Sequence, residues 1–211
     1  MTGVADAAGE RPARPGGLAL TERALRAGGF RPGDRLLDVG CGAGATVEWL
    51  RQQRLEAYGV DPDGARLIGR PHLLRARGEA LPFRAAFADG VLLECSLSLL
   101  DERDAALAEC RRVLRAGGRL AVTSLCAQRP ASLGGGLGRV ETQLGLVALL
   151  GSHGFAVELV EDCSEHLRAL WGQLILDGGR EAAAASLGAD LAALKAARCG
   201  YCLVVARKER P

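Results

Sequence analysis

The sequence predicts an α/β fold, a Rossmann-like, doubly wound sheet with helices on both faces. Three observations predict it. Short apolar runs alternate with helix-patterned stretches over residues 35–160, the rhythm of a parallel sheet. The first run, Leu36-Leu37-Asp38-Val39, feeds a glycine-rich turn, Gly40-Cys41-Gly42-Ala43-Gly44, that opens a helix. An acid, Asp61, closes the second run about 20 residues later, a spacing that nucleotide-binding sheets use.

The elements follow in order. Residues 1–17 are rich in Gly, Pro, Ala and charge and read as a mobile lead, with one globular domain over 18–211. Leu18–Ala27 is helical and stops at Gly28-Gly29. Arg35–Val39 is the first strand and Ala45–Gln53 the helix after the turn. Ala57–Val60 is the second strand, followed by a helix through Ile68; Leu73–Ala76 is a weaker third and Gly90–Glu94 a fourth. The well-patterned helix Glu102–Leu114 is stopped by Gly117-Gly118 before a fifth strand, Arg119–Ser124. Val140–Leu150 is helical, Phe155–Val160 is the sixth strand and Tyr201–Ala206 the last. Between these two strands, Asp162–Arg198 reads as a helical insertion, two helices over about 164–176 and 181–196 with Asp177-Gly178-Gly179 between them. Leu167, Leu170, Trp171 and Leu174, then Leu187, Leu191 and Leu194, recur there at helical spacing.

The length of 211 residues suits one domain with a real core. Apolar residues at 48% with 25% charged exclude a mostly disordered chain. A net charge of +2 makes no basic field, so neither a nucleic-acid nor an anionic-membrane partner is expected. No apolar run reaches the ~18 residues of a spanning helix, and residues 1–17 lack the apolar core of a signal peptide. The expected compartment is therefore the cytosol, where the seven cysteines are thiols rather than disulfides.

The glycine turn carries the chemistry. Glycines allow a tight turn and a close approach of backbone to ligand, and the helix behind it presents unpaired N–H groups. Asp61 can accept hydrogen bonds from both hydroxyls of a ribose. Loop and acid together imply an adenosine-containing cofactor. On the loop alone, three readings stand: a methyltransferase cofactor, a dinucleotide held through Gly40, Gly42 and Ala45 (G-x-G-x-x-A), and a turn with no ligand.

Further motifs join it. Gly78-Glu79-Ala80-Leu81-Pro82-Phe83 follows the third strand, and the helix Ala105–Leu114 runs into Arg115-Ala116-Gly117-Gly118-Arg119-Leu120. With Asp38 directly before G-x-G-x-G, this ordered set resembles the class I S-adenosylmethionine-dependent methyltransferases, nearest the branch that methylates small molecules such as quinones and arsenite. The resemblance covers residues 33–125 closely and 140–160 loosely. It implies a seven-stranded sheet with the last strand antiparallel, and transfer of a methyl group from S-adenosylmethionine to a small-molecule acceptor. It implies that Asp38 helps hold the methionine amino group and that Gly40, Cys41, Gly42 and Gly44 lie along the methionine. It places Asp61 on the ribose, Pro62 beside the adenine and Glu79 and Ala80 on the adenine edge. Glu94, Cys95 and Ser96 then face the methionine end and the acceptor. Glu94 and His166 are the candidate catalytic groups; the bland alternatives are a solvated strand-end charge and a surface helix position. An NAD(P)-dependent oxidoreductase and a cofactor-binding module without turnover remain as rival readings.

If the last strand is antiparallel, the insertion leaves and returns on the cofactor edge. It then forms part of a lid over the acceptor, or a subdomain that only covers sheet edge. Cys199-Gly200-Tyr201-Cys202 reads as buried thiols, because residues three apart on a strand face opposite sides and no second pair completes a zinc site; no metal is expected. Cys41, Cys95 and Cys126 all fall at strand ends, where three converging thiols would suit an arsenite-type substrate.

Overall fold

A computed structural model describes residues 14–67, 69–133, 137–186, 193 and 196–210. The strands are β1 (Arg35–Val39), β2 (Glu56–Asp61), β3 (Leu73–Arg75), β4 (Ala88–Glu94), β5 (Leu114–Cys126), the short β6 (Ala131–Ser132) and β7 (Arg139–Val140), then β8 (Phe155–Asp162) and β9 (Gly200–Lys208). The helices are α1 (Gly17–Gly28), α2 (Ala45–Gln52), α3 (Arg103–Val113), α4 (Gln143–Ser152) and α5 (Ser164–Ser186). Seven strands form one sheet in the order β3-β2-β1-β4-β5-β9-β8, with β9 antiparallel to both neighbours, as the family resemblance implies.

Alternation along the strands explains why both faces are apolar. Leu36, Leu92, Ala121 and Leu203 pack under Leu20 and Ala24 of α1 and Val47 and Leu50 of α2. Their neighbours Leu37, Val91, Leu93, Val122 and Val204 pack under Leu107 of α3 and Leu150 of α4 on the other face. From β1 the chain runs outward through β2 and β3, then returns to place β4 and β5 on the opposite side of β1. That reversal opens a crevice beyond the C-terminal ends of β1 and β4. Cys126 pairs with Gly200 and Asp162 with Cys202, so the connection from β8 to β9 leaves and returns on this same edge.

Several boundaries differ from the sequence reading. The helix expected after β2 is one 3-10 turn, Gly64–Leu67, and Ile68 lies outside the described residues. Val140 is not the start of a helix. It pairs with Ala131 in a hairpin, and α4 begins at Gln143 because Thr142 caps it, its Oγ1 accepting from the Gly145 N–H at 2.9 Å. The hairpin is held by Arg103, whose Nη2 meets Glu141 at 2.7 Å. The helix before β5 ends at Val113; Leu114 is already extended and pairs with Ala88, and a bulge absorbs Gly117-Gly118 before Arg119 pairs with Gly90. α5 continues through Asp177 and Gly178 and turns only at Gly179, whose φ of 81° interrupts the helix. Residues 187–192 and 194–195 of the second insertion helix, and residues 1–13 of the lead, lie outside the described residues. Arg14 to Gly16 are placed, and α1 begins at Gly17. Leu167 packs against the α1–α2 core, while Leu170, Trp171 and Leu174 are half-buried. Among the described residues no helix is long and apolar enough to cross a membrane.

Leu92 lies fully buried in β4, between α1 and α2 and the sheet. Leu92→Ala is expected to lower the unfolding free energy by about 2–5 kcal/mol, read from urea titrations followed by circular dichroism.

Candidate cofactor site

The site begins where β1 stops. Gly40, Gly42 and Gly44 all take left-handed conformations, at φ 83°, 54° and 83°. The N–H groups of Gly40 and Cys41 both donate to the Val60 carbonyl, at 2.8 and 3.1 Å, which ties the loop to the end of β2. A Cβ on Gly40 would lie 2.5 Å from Ser96 Cβ, so only glycine lets the loop lie against the segment after β4. Ser96 completes that contact, its Oγ donating to the Val39 carbonyl at 2.6 Å. Asp61 is aimed back at the loop by two amides: Oδ2 accepts from Gly42 N and Oδ1 from Asp63 N, each at 2.9 Å. Each oxygen keeps a further lone pair for a ligand hydroxyl.

Charge is concentrated beside the loop. Asp38 is 3% exposed, and among the described residues no hydrogen bond reaches its carboxylate. Burial first, and the nearby charge of Glu94 second, push the Asp38 carboxyl up to about 8, against the pull of Arg14. Glu94 is itself buried; its Oε2 accepts from Arg14 Nη2 at 2.6 Å and its Oε1 from Thr21 Oγ1 at 2.8 Å. Arg14 Nη1 also donates to Thr46 Oγ1, in the first turn of α2, at 3.1 Å. Burial opposes the Arg14 charge, but Glu94 and Asp38 outweigh it and hold the guanidinium above its ordinary value. Arg14, Thr21 and Thr46 are the residues that sequence reading missed. Their pairing spans 80 residues for Arg14 and Glu94, and no local signal marks it.

The other predicted residues divide. Asp38, Gly40, Gly42, Gly44, Asp61 and Glu94 come together at the crevice. Cys41 contributes backbone, since its thiol turns back onto Gly59, where a Cβ would lie 2.6 Å from Sγ. Cys95 takes a left-handed φ of 58°, strained for a residue with a side chain. Its thiol meets Tyr201 Oη at 2.7 Å, and that hydroxyl donates to Thr123 Oγ1 at 2.9 Å; burial pushes the thiol up. Cys126 faces Cys202, with sulfurs 2.6 Å apart. Cys41, Cys95 and Cys126 therefore point at three different partners, and among the described residues no three His, Cys, Asp or Glu side chains are grouped to hold a metal. Pro62 is exposed, its carbonyl accepting from Arg75 Nε at 3.2 Å. Ala80 N donates to the Arg77 carbonyl at 3.1 Å. The Glu79 carboxylate turns to the Glu102 N–H, at 3.3 Å, and to Arg77, at 3.4 Å. Gly78, not Glu79, lies against the end of β1, where a Cβ would sit 3.2 Å from Val39. His166 packs against the approach to α1, its Cδ2 3.3 Å from where a Gly16 Cβ would stand.

A parallel sheet that reverses between β1 and β4, with a glycine loop at the reversal and an acid closing β2, defines a nucleoside-binding α/β protein. A family model described as a methyltransferase domain matches residues 37–122. The 27-O-demethylrifamycin SV methyltransferase of Amycolatopsis mediterranei is 31% identical over 90% of this chain and 82% of its own length. The fold is similar to that of the [4+2]-cyclase SpnF, with a TM-score of 0.68 and 27% identity over 92% of this chain and 81% of that one. It is also similar to geranyl diphosphate methyltransferase in complex with SAM, at a TM-score of 0.70 and 20% identity over 90% and 84% of the two chains. The chain spans about half the length of other curated relatives, 47% and 54% of two O-methyltransferases of Aspergillus. It belongs to the class I S-adenosylmethionine-dependent methyltransferases.

Asp38 gives this site a pH signature. Its carboxyl holds a proton up to about 8 in the fold, against an ordinary 3.8, so the folded state binds more protons than the unfolded one between those values. Stability of the ligand-free protein is therefore expected to fall as pH rises through that window. Asp38→Asn removes the ionisation and should flatten the fall, checked by urea midpoints at pH 5 and pH 8.

Proposed function

We propose that this protein transfers a methyl group from S-adenosylmethionine to a small-molecule acceptor. The carrying observation is Asp38, a buried carboxylate at the mouth of the glycine loop with no hydrogen-bond donor among the described residues. No fully buried side-chain oxygen of the described residues lacks a partner, so the Asp38 oxygens open on the crevice, where a ligand ammonium can supply donors. Asp61 receives the ribose hydroxyls, Gly40 to Gly44 follow the methionine chain, and Pro62, Gly78 and Ala80 flank the adenine. When bound, the cofactor supplies a methyl group activated on a sulfonium. The protein's work is to bind and align it, and positioning supplies much of the rate. Glu94 is engaged by Arg14 and Thr21, and we assign it an electrostatic contribution.

Similarity argues against the dinucleotide: the methyltransferase-domain model spans the glycine loop and Asp61, and the rifamycin relative that covers most of this chain is a methyltransferase. A cleft of about 600 Å3 between Gln128–Leu133 and Ala197-Arg198 opens beyond the end of β5, and we assign the acceptor to it. The segment 162–198 then acts as the lid, a reading supported by its departure and return on this edge. A small acceptor suits a net charge of only +2 better than nucleic acid does. The seven free thiols suit the cytosol. The likeness to SpnF, a [4+2]-cyclase, favours a second reading, in which the same fold serves its small molecule without methyl transfer.

Calorimetry separates these readings from the dinucleotide one: S-adenosylhomocysteine should bind and NADH should give no heat. Asp61→Ala should weaken S-adenosylhomocysteine at least tenfold. Methyl-labelled cofactor offered with a panel of small acceptors should yield a labelled product; a bound cofactor that labels nothing supports the second reading. For the lid, Trp171→Ala should raise the acceptor KM several-fold while leaving S-adenosylhomocysteine affinity within about twofold; unchanged acceptor KM removes the lid.

A further inference from the structure

Arg14 stands outside every motif, yet its side chain is only 10% exposed and sits at the crevice. Three of its contacts are made by separate parts of the molecule: Glu94 at the end of β4, Thr21 in α1 and Thr46 in α2. A guanidinium carries five N–H donors. Nη2 serves Thr21 and Glu94 and Nη1 serves Thr46, which leaves two donors without an acceptor among the described residues. Arg14 can therefore take an additional anion while its pair with Glu94 stays intact.

Asp38, Glu94 and Arg14 lie within mutual electrostatic reach, with Glu94 already paired to Arg14 and Asp38 without a protein donor among the described residues. The methionine end of S-adenosylmethionine carries two cations, the ammonium and the sulfonium, and one anion, the α-carboxylate. The unpaired amides at the start of α2, where Thr46 lies, add to the pull on an anion.

We infer that Arg14 is a cofactor-binding residue, whose guanidinium receives the α-carboxylate of S-adenosylmethionine. The inference rests on the methyltransferase reading. It gives the stretch before α1 a function in cofactor capture, with Glu94 and Thr21 as positioning residues that hold the guanidinium in place. Cofactor binding then draws on the N-terminal segment as well as on the loop.

The test is calorimetry on the full chain with two ligands, S-adenosylhomocysteine and its decarboxylated analogue, S-adenosyl-3-thiopropylamine. The wild-type protein should bind the analogue roughly ten- to a hundredfold more weakly, the scale of a charge-assisted hydrogen bond. Arg14→Ala should weaken S-adenosylhomocysteine by a similar factor and leave the analogue within about twofold. Arg14→Lys, which keeps the charge and serves if the alanine variant folds poorly, should fall between them. Equal binding of the two ligands by the wild type overturns the inference. So does an Arg14→Ala protein that binds S-adenosylhomocysteine as tightly as wild type or more tightly, the behaviour of a plug, or one that loses both ligands equally, the behaviour of a structural residue. A wild-type protein that binds neither ligand overturns the methyltransferase reading itself.

Discussion

Two carboxylates are buried at the ends of neighbouring strands, and the cofactor edge of this protein is organised around them. Asp38 closes on β1 and Glu94 on β4, and like charge at low solvent exposure is costly. Glu94 is satisfied from within by Arg14 and Thr21. Asp38 is not, and burial pushes its carboxyl up to about 8. The cationic ligand proposed for the site would supply the partner it lacks. In that respect the site differs from a phosphate-binding loop, where the same glycine turn and helix N-terminus would face anions with no acid in the way.

The backbone makes the arrangement possible. Gly40 must be glycine twice over, for its positive φ and for the approach of Ser96. Once the loop is fixed to Val60 and Ser96, Asp61 lies within reach of the Gly42 amide, and loop, strand-end acid and strand ends are joined by hydrogen bonds. The apolar layers on the two faces of the sheet hold those strand ends in register, so packing far from the crevice sets its geometry. The connection from β8 to β9 and the hairpin β6–β7 then stand at the same edge, where an acceptor must approach.

Much of this was legible in the sequence because it depends on local rules. Strand alternation, the glycine turn and the strand-end acid at Asp61 are short-range patterns, and the structure keeps them. The hairpin at Val140 was not legible, because strands of two residues have no periodicity and the Thr142 cap competes with a continuous helical pattern. The break between the insertion helices was legible in Asp177-Gly178-Gly179, and it falls at Gly179, the residue that takes a left-handed φ. Glu79 matched its motif, while its contacts to Arg77 and the Glu102 amide, and the place of Gly78 against β1, depend on side-chain packing that no motif spells out. Arg14 was hidden most completely. It sits in a stretch whose composition reads as a mobile lead, among many arginines, and its partner lies at the far end of β4.

The most direct measurement is a structure of the protein with S-adenosylhomocysteine bound. The account predicts the ribose hydroxyls on Asp61, the amino group within hydrogen-bond distance of Asp38, and Glu94 still paired with Arg14. A nucleoside bound away from the β1–β4 crevice, or an amino group that leaves Asp38 without a partner, would contradict it.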